Sequence, residues 1–239
     1  MKVTNYLLGY KNLKIVQDNE MFNFSLDSVL LPNFVTINKN ISKILDIGCG
    51  NAPIPLILST KTKAEILGVE IQKSVYELAC ESIIINNKQD QIKIINQDIN
   101  DFYKKEETDT YDIITCNPPF FKYIETSNTN KNDYKTIARH EVTLNISQLF
   151  TIAKKLLKNN GVIAIVHRPE RFVEIIEEMK KNNIEPKRVQ FIYPKIDMEA
   201  NIMLIEGTKN GKPGLKIMPP LYTHEKNGEY TETIKKYFK

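Results

Sequence analysis

Four groups of residues along the first half of a 239-residue chain have side chains suited to chemistry. The first is Asp46-x-Gly48-x-Gly50, within "LDIGCGNAPIPL". Its two glycines lack a Cβ and let the backbone approach a ligand closely. The second is Glu70, 22 residues after Gly48, where a carboxylate accepts hydrogen bonds from hydroxyl groups. The third is Asp98, closing "QIKIINQD". The fourth is "TCNPPFF", Thr115 to Phe121. Asn-Pro opens turns, and proline cannot continue a sheet ladder. Two prolines followed by two aromatic rings are more than a turn needs. Proline fixes φ and has no N–H, so a carbonyl at Pro118 is held in one direction, and Phe120 offers a flat apolar face.

Each group lies at the end of an apolar run that predicts a strand. "KILDIG", "EILGVE", "QIKIINQD" and "YDIITC" are these strands. Between them, "APIPLILST" predicts a short helix with prolines in its first turn, "QKSVYELACESIIINNK" an amphipathic helix and "INDFYKKEE" a weak one. Further on come a helix over "ISQLFTIAKKLLKNNG" closed by Gly161, a strand "VIAIVH" and a helix "ERFVEIIEEMKKNN". "KRVQFIY" and "NIMLIEG" follow with no helix between them, so they predict a hairpin. Alternating strands and helices imply an α/β fold: a doubly wound, Rossmann-like, mostly parallel seven-stranded sheet with an antiparallel edge strand. Before it, residues 1–42 are a lead-in, with "LKIVQ" and "MFNFS" alternating like a hairpin and "LDSVLLPNF" helical until Pro32. The expected organisation is therefore this short N-terminal extension plus one domain over 43–239. The polar insertion at 122–135 is placed like an active-site loop.

No apolar run reaches transmembrane length, and the N-terminus lacks the order of a signal peptide. Cys49, Cys80 and Cys116 form no metal-binding spacing, so a cytoplasmic protein without a metal is expected. Residues 1–110 carry a net charge of −2 and residues 111–239 one of +6. All four arginines, Arg139, Arg168, Arg171 and Arg188, lie in the basic part. A basic half suits a polyanionic partner, and it equally suits a well-solvated surface.

The glycine turn narrows the ligand. A dinucleotide site has GxGxxG, whose third glycine lets the helix end hold a pyrophosphate. Here Pro53 gives GxGxxP, which suits a nucleoside without phosphates such as S-adenosylmethionine. Glu70 then meets the ribose hydroxyls and Asp98 the adenine amino group. Taken singly, Asp46 is a turn residue and Asp98 a helix cap. Four successive strand ends with ligand-type residues are harder to explain that way.

With these motifs, the chain resembles the class I S-adenosylmethionine-dependent methyltransferases. "DIGCG" is similar to their first motif, and "NPPF" to the motif of the subset that methylates planar nitrogens. "FSLDSVLL", "NAPIPLILSTKTKAEILGVEIQ", "IARHE", "VHRPER" and "EPKRVQFIYPK" resemble the bacterial tRNA adenine N6-methyltransferases that act on the adenine 3′ of the anticodon (position 37) in a valine tRNA. The resemblance implies Asp46, Gly48, Gly50, Glu70, Asp98 and Asn117 at the cofactor, and Asn117, Pro118 and Phe120 at the target. Asn117 Oδ1 and the Pro118 carbonyl would accept from the target amine, and Phe120 would stack the base. The proton leaves to solvent, so no general base is required of His140 or His167. Arg139, His140, Arg168, Lys187, Arg188 and Lys195 are candidates for RNA contact, with solvated surface charge as the alternative for each. The expected partner is tRNA, with no membrane and no obligatory protein partner. The rivals are a protein glutamine N5-methyltransferase, which usually carries a sizeable helical domain where this sequence has 45 residues of strand-like character before the glycine turn and usually has Tyr in place of Phe120, and another RNA or DNA adenine N6-methyltransferase.

Overall fold

A computed structural model describes residues 1–18, 25–118 and 144–238. Outside these lie most of the expected "MFNFS" strand, Pro119, Phe120, the 122–135 insertion, Arg139 and His140.

The seven expected strands form one sheet. In chain order they are β3 (Lys43–Ile47), β4 (Glu65–Glu70), β5 (Ile92–Asn96), β6 (Tyr111–Cys116), β7 (Leu157–His167), β8 (Ile184–Tyr193) and β9 (Ile202–Lys209). Their spatial order is β8-β9-β7-β6-β3-β4-β5. The chain runs outward from β3 through β4 to β5, then returns to β6 on the other side of β3. That reversal makes a crevice at the C-terminal ends of β3 and β6, where open α/β sheets bind ligands. The antiparallel strand is β9, which inserts between β7 and β8 and is antiparallel to both. Two two-residue strands, β10 (Lys216–Ile217) and β11 (Leu221–Tyr222), pair with β8 and close that edge.

Both faces of the sheet are buried, and strand alternation shows it. Ile44, Ile113, Val162, Ala164 and Leu204 belong to one core. Leu45, Ile114, Ile163, Ile165 and Met203 belong to the other. Successive strand residues point to opposite faces, so the runs are apolar throughout. The first core is covered by α1 (Asp27–Phe34), α2 (Pro53–Leu58), α3 (Lys73–Ile85) and a hairpin of β1 (Lys2–Leu7) and β2 (Tyr10–Asp18). The second is covered by α4 (Ile99–Lys105), α5 (Ile146–Leu156) and α6 (Phe172–Lys181). The chain ends in a one-turn helix, α7 (Glu232–Lys235). Among the described residues, no helix is long and apolar enough to cross a membrane.

Two local expectations need correction, and a third, the pairing of "LKIVQ" with "MFNFS", lies mostly outside the described residues. "LKIVQ" pairs with the first residues of the chain, Val3 opposite Gln17 and Asn5 opposite Ile15. Most of β1 is exposed, so it carries no alternation from which the pairing follows. The helix expected to stop at Pro32 continues to Phe34. Pro32 has no N–H for the Ser28 carbonyl, but Leu30, Leu31 and Phe34 are buried and hold the last turn in place. The helix expected to run to Gly161 stops at Leu156, because Leu157 already pairs with Tyr111 in the sheet. Gly161 is not its cap. A Cβ there would sit 2.9 Å from the Lys158 carbonyl and 3.2 Å from that of Asp112, so close backbone approach is what requires glycine.

Candidate active site at the ends of β3, β4 and β6

The turn after β3 folds back on β4. The N–H groups of Gly48 and Cys49 donate to the Val69 carbonyl at 2.9 and 3.1 Å. Gly48 and Gly50 take φ of +67° and +57°, a region that L side chains rarely adopt. No atom lies within 4 Å of where a Cβ would stand on either. The space over the turn is open, and backbone conformation is what demands glycine. The Asn51 amide donates to the Val16 carbonyl at 2.9 Å, tying the turn to β2.

Glu70 ends β4 and is 3% exposed. It accepts from the Gly50 N–H through Oε2 at 3.0 Å and from the Gln72 N–H through Oε1 at 2.8 Å. One carboxylate therefore braces both loops that border the crevice. A carboxylate has about four acceptor positions, so each oxygen retains capacity for a ligand hydroxyl.

Asp46 is fully buried beside it. Its register partner in β6 is Thr115, whose hydroxyl donates to Asp46 Oδ1 at 2.6 Å. Oδ2 is buried and has no hydrogen-bond partner among the described residues. Burial pushes the Asp46 carboxyl up to about 7, with the neighbouring Glu70 charge adding to the rise and the Thr115 hydroxyl opposing it. An orphaned acceptor in an interior this dry is costly unless something donates to it. Asp98 caps α4: its Oδ1 accepts from the Asn100 N–H at 2.8 Å and the Asn100 side chain at 3.1 Å. It stands at the end of β5 on the same edge as Glu70.

Across the crevice, Asn117 follows β6 and is half-buried, and Pro118 is buried. Asn117 Nδ2 donates to the Ser28 hydroxyl on α1 at 3.3 Å. Asp27 is also nearly buried, and burial raises its carboxyl while the Ser25 hydroxyl at 3.0 Å and the Arg168 charge oppose the rise. His167 ends β7, 2% exposed, and its Nδ1 accepts from the Arg168 N–H at 2.8 Å. Burial and the Arg171 charge push its imidazole down to about 4, so it is neutral at physiological pH.

The RNA-contact candidates divide. The Arg188 guanidinium bonds Glu206 Oε1 at 3.0 Å, Thr36 Oγ1 at 2.8 Å and the Phe34 carbonyl at 3.2 Å, and it lies over the Phe34 ring. Glu206 is 3% exposed and also accepts from the Thr36 N–H at 2.9 Å. Arg188 therefore closes a half-buried network that joins α1 to β8 and β9. Lys187 donates to the Lys212 carbonyl at 3.0 Å. It lies six residues before the end of β8, about 20 Å from the crevice edge at 3.3 Å per residue. Arg168 bonds the Asn201 carbonyl at 2.8 Å at the crevice edge. Lys195 follows the end of β8 on that same edge and is half-buried. Sequence patterns miss Ser28, Thr115 and Glu206. Ser28 stands within "FSLDSVLL", and the other two are single polar residues in apolar strands.

Among the described residues, no group of three or more His, Cys, Asp or Glu is placed to hold a metal ion. Cys49 and Cys116 are buried, and burial raises their thiols far from reactivity.

Residues 38–221 match a family model described as a methyltransferase domain. A Flavobacterium psychrophilum protein is 31% identical over 77% of this chain and 79% of its own length. Relatives from Flavobacterium johnsoniae and Parabacteroides distasonis are 26% and 25% identical, each covering 97% or more of both chains. All three are named tRNA1(Val) (adenine(37)-N6)-methyltransferase. Among solved structures, a predicted O-methyltransferase from Agrobacterium tumefaciens shares the fold with a TM-score of 0.69 at 17% identity, covering 89% of this chain and 95% of that one. Geranyl diphosphate C-methyltransferase from Streptomyces coelicolor, in complex with S-adenosyl-L-homocysteine among other ligands, gives 0.57 at 10% identity, covering 77% of this chain and 80% of that one. Matched along most of its length, the chain belongs to the methyltransferase domain family, in the branch of the tRNA1(Val) (adenine(37)-N6)-methyltransferases.

Proposed function

We propose that this protein transfers the methyl group of S-adenosylmethionine to N6 of an adenine, the one 3′ of the anticodon in a valine tRNA. The observation that carries this is Asn117-Pro118 at the end of β6, directly across the switch-point crevice from Asp46 and Glu70. The names of its relatives supply the substrate.

The crevice suits a nucleoside with an amino-acid tail. The open turn at Gly48 and Gly50 admits the ligand backbone-close, and Glu70 accepts from ribose hydroxyls. The orphaned Asp46 Oδ2 accepts from an ammonium, which would also hold its carboxyl ionised. Asp98 Oδ2 serves the adenine amino group. When bound, S-adenosylmethionine supplies a methyl group on a positively charged sulfur, so the departing group needs no further activation.

The chain's own task is to prepare the nucleophile. An exocyclic adenine amine has its lone pair delocalised into the ring. Asn117 Oδ1 and the Pro118 carbonyl accept its two N–H bonds and favour a more tetrahedral nitrogen. The gain comes from position and fixed dipoles. The displaced proton passes to solvent. His167 is no base for it, being buried and bonded to the Arg168 N–H. Phe120 is the proposed stacking face. Arg168, Lys195, Arg139 and His140 are the proposed RNA contacts, and a loop adenine is cheap to extrude because it is unpaired. Residues 1–42 act in this reading as an extension that completes the site of a 43–239 methyltransferase unit. We place the reaction in the cytoplasm, without an obligatory protein partner.

The test is methyl transfer from labelled S-adenosylmethionine to a panel of unmodified tRNA transcripts, a release-factor protein and duplex DNA. Label in the valine tRNA is expected. Label on release-factor glutamine with all tRNAs inert would replace this reading with the glutamine one.

A further inference from the structure

The Asn117 carboxamide has an accepting end and a donating end. The target amine needs the accepting end. A carboxamide turned by half a revolution would present N–H to N–H, which repels the substrate and leaves the nitrogen lone pair unassisted. Something must therefore choose between two nearly isosteric orientations.

Ser28 stands where that choice is made. Its Oγ is 3.3 Å from Asn117 Nδ2, and the residue is 5% exposed. It sits in the first turn of α1, its N–H donating to the Ser25 carbonyl at 3.1 Å. The helix is fixed on the first core by Val29, Leu30 and Leu31, all at most 1% exposed. A serine hydroxyl has two acceptor lone pairs beside its one proton, and toward Asn117 Nδ2 the Ser28 Oγ is the acceptor. Buried hydroxyl and rigid helix together make a fixed acceptor.

We propose that Ser28 is a positioning residue for the methyl transfer: it holds Asn117 Nδ2 so that Oδ1 faces the target nitrogen. It acts through Asn117 and not on the substrate. The N-terminal extension thereby takes part in turnover, since α1 supplies the group that orients the reactive motif. This rests on the reading of Asn117 as the acceptor for the target amine.

The experiment is a double-mutant cycle of Ser28→Ala and Asn117→Ala on a tRNA substrate, with Ser28→Thr as rescue. Ser28→Ala is expected to lower kcat about tenfold, with KM for tRNA and Kd for S-adenosylhomocysteine each within about twofold. In the Asn117→Ala background the same change should alter the residual rate less than about twofold, because there is no carboxamide left to orient. Ser28→Thr should recover most of kcat. Equal losses in both backgrounds, an unchanged kcat, a matching loss of S-adenosylhomocysteine affinity, or a Thr variant as poor as Ala would each overturn the inference. A second readout needs no substrate: exchange of the Asn117 side-chain amide protons, measured by NMR, should quicken several-fold in Ser28→Ala. If the wild type methylates no tRNA, the substrate reading has failed. The exchange rates still decide Ser28, with unchanged exchange counting against it.

Discussion

The carboxylates at the ends of β3 and β4 and the guanidinium in β8 are in opposite electrostatic situations. Glu70 is braced by two backbone N–H groups and keeps acceptor capacity toward the crevice. Asp46 has one oxygen tied to Thr115 and the other without a partner. Arg188 has its charge matched by Glu206, and the same guanidinium nitrogen, Nη1, also donates to Thr36 Oγ1 and the Phe34 carbonyl. The lesson concerns what a buried charge is for. On the proposed reading, a group with unspent hydrogen-bonding capacity at a strand end is one that a ligand completes. A charged group paired with a buried opposite charge holds elements together, whatever its formal charge suggests about RNA.

The largest expected effect tests the second half of that contrast. Arg188→Ala leaves the buried Glu206 with its two Thr36 hydrogen bonds and without the positive charge that matched it, and removing one partner of a buried pair costs up to about 3–5 kcal/mol. The denaturant midpoint should fall sharply. An Arg188→Ala protein as stable as wild type, impaired only in KM for tRNA, would break the comparison. Next comes Asn117→Ala, which should slow turnover on the order of 100-fold, the scale of one lost oxyanion-hole donor. S-adenosylhomocysteine affinity should stay close to wild type by calorimetry, and near-normal turnover would reduce Asn117 to a turn former. Glu70→Ala should weaken cofactor binding by about 1–3 kcal/mol, and Glu70→Gln by less, since it keeps one acceptor oxygen.

Asp46 gives the expected pH dependence. The folded chain holds its proton up to about pH 7, while an unfolded Asp releases it near pH 4. Between these values the folded state binds more protons. The stability from this group is therefore full below about pH 4 and lost as pH rises through about 7. Asp46→Asn should flatten that fall in pH-dependent unfolding curves. If Asp46 receives the cofactor ammonium, binding near pH 6 should release a proton. Calorimetry in two buffers of different ionisation heat detects it, and equal heats would remove Asp46 from the ammonium. The smallest effect is at Lys195, on the crevice edge. Lys195→Ala should raise KM for tRNA a few-fold and leave stability unchanged, and kinetics with the purified variant check this.

Much of this was legible in the sequence because apolar runs and strand-end residues coincide. The strands ending at Asp46-x-Gly48, Glu70, Asp98 and Asn117 stand where their runs predict them, since a sheet buried on both faces writes itself as continuous apolar segments. What was not legible depends on long-range partners. Nothing local in "KRVQF" tells that Arg188 meets Glu206 and Thr36, 18 and 152 positions away. Ser28 lies 89 positions before Asn117, and only the fold brings them together. Gly161 looked like a helix cap because glycine serves both caps and close backbone contacts, and the pairing of Leu157 with Tyr111 decides between them.

The most direct test of the central claim is mass spectrometry of nucleosides from a valine tRNA transcript incubated with the enzyme and S-adenosylmethionine. It is run beside the same transcript with guanine in place of the adenine 3′ of the anticodon. The account predicts N6-methyladenosine in the first transcript and none in the second. Methylation of both transcripts alike, or of neither while release-factor glutamine is methylated, would contradict it.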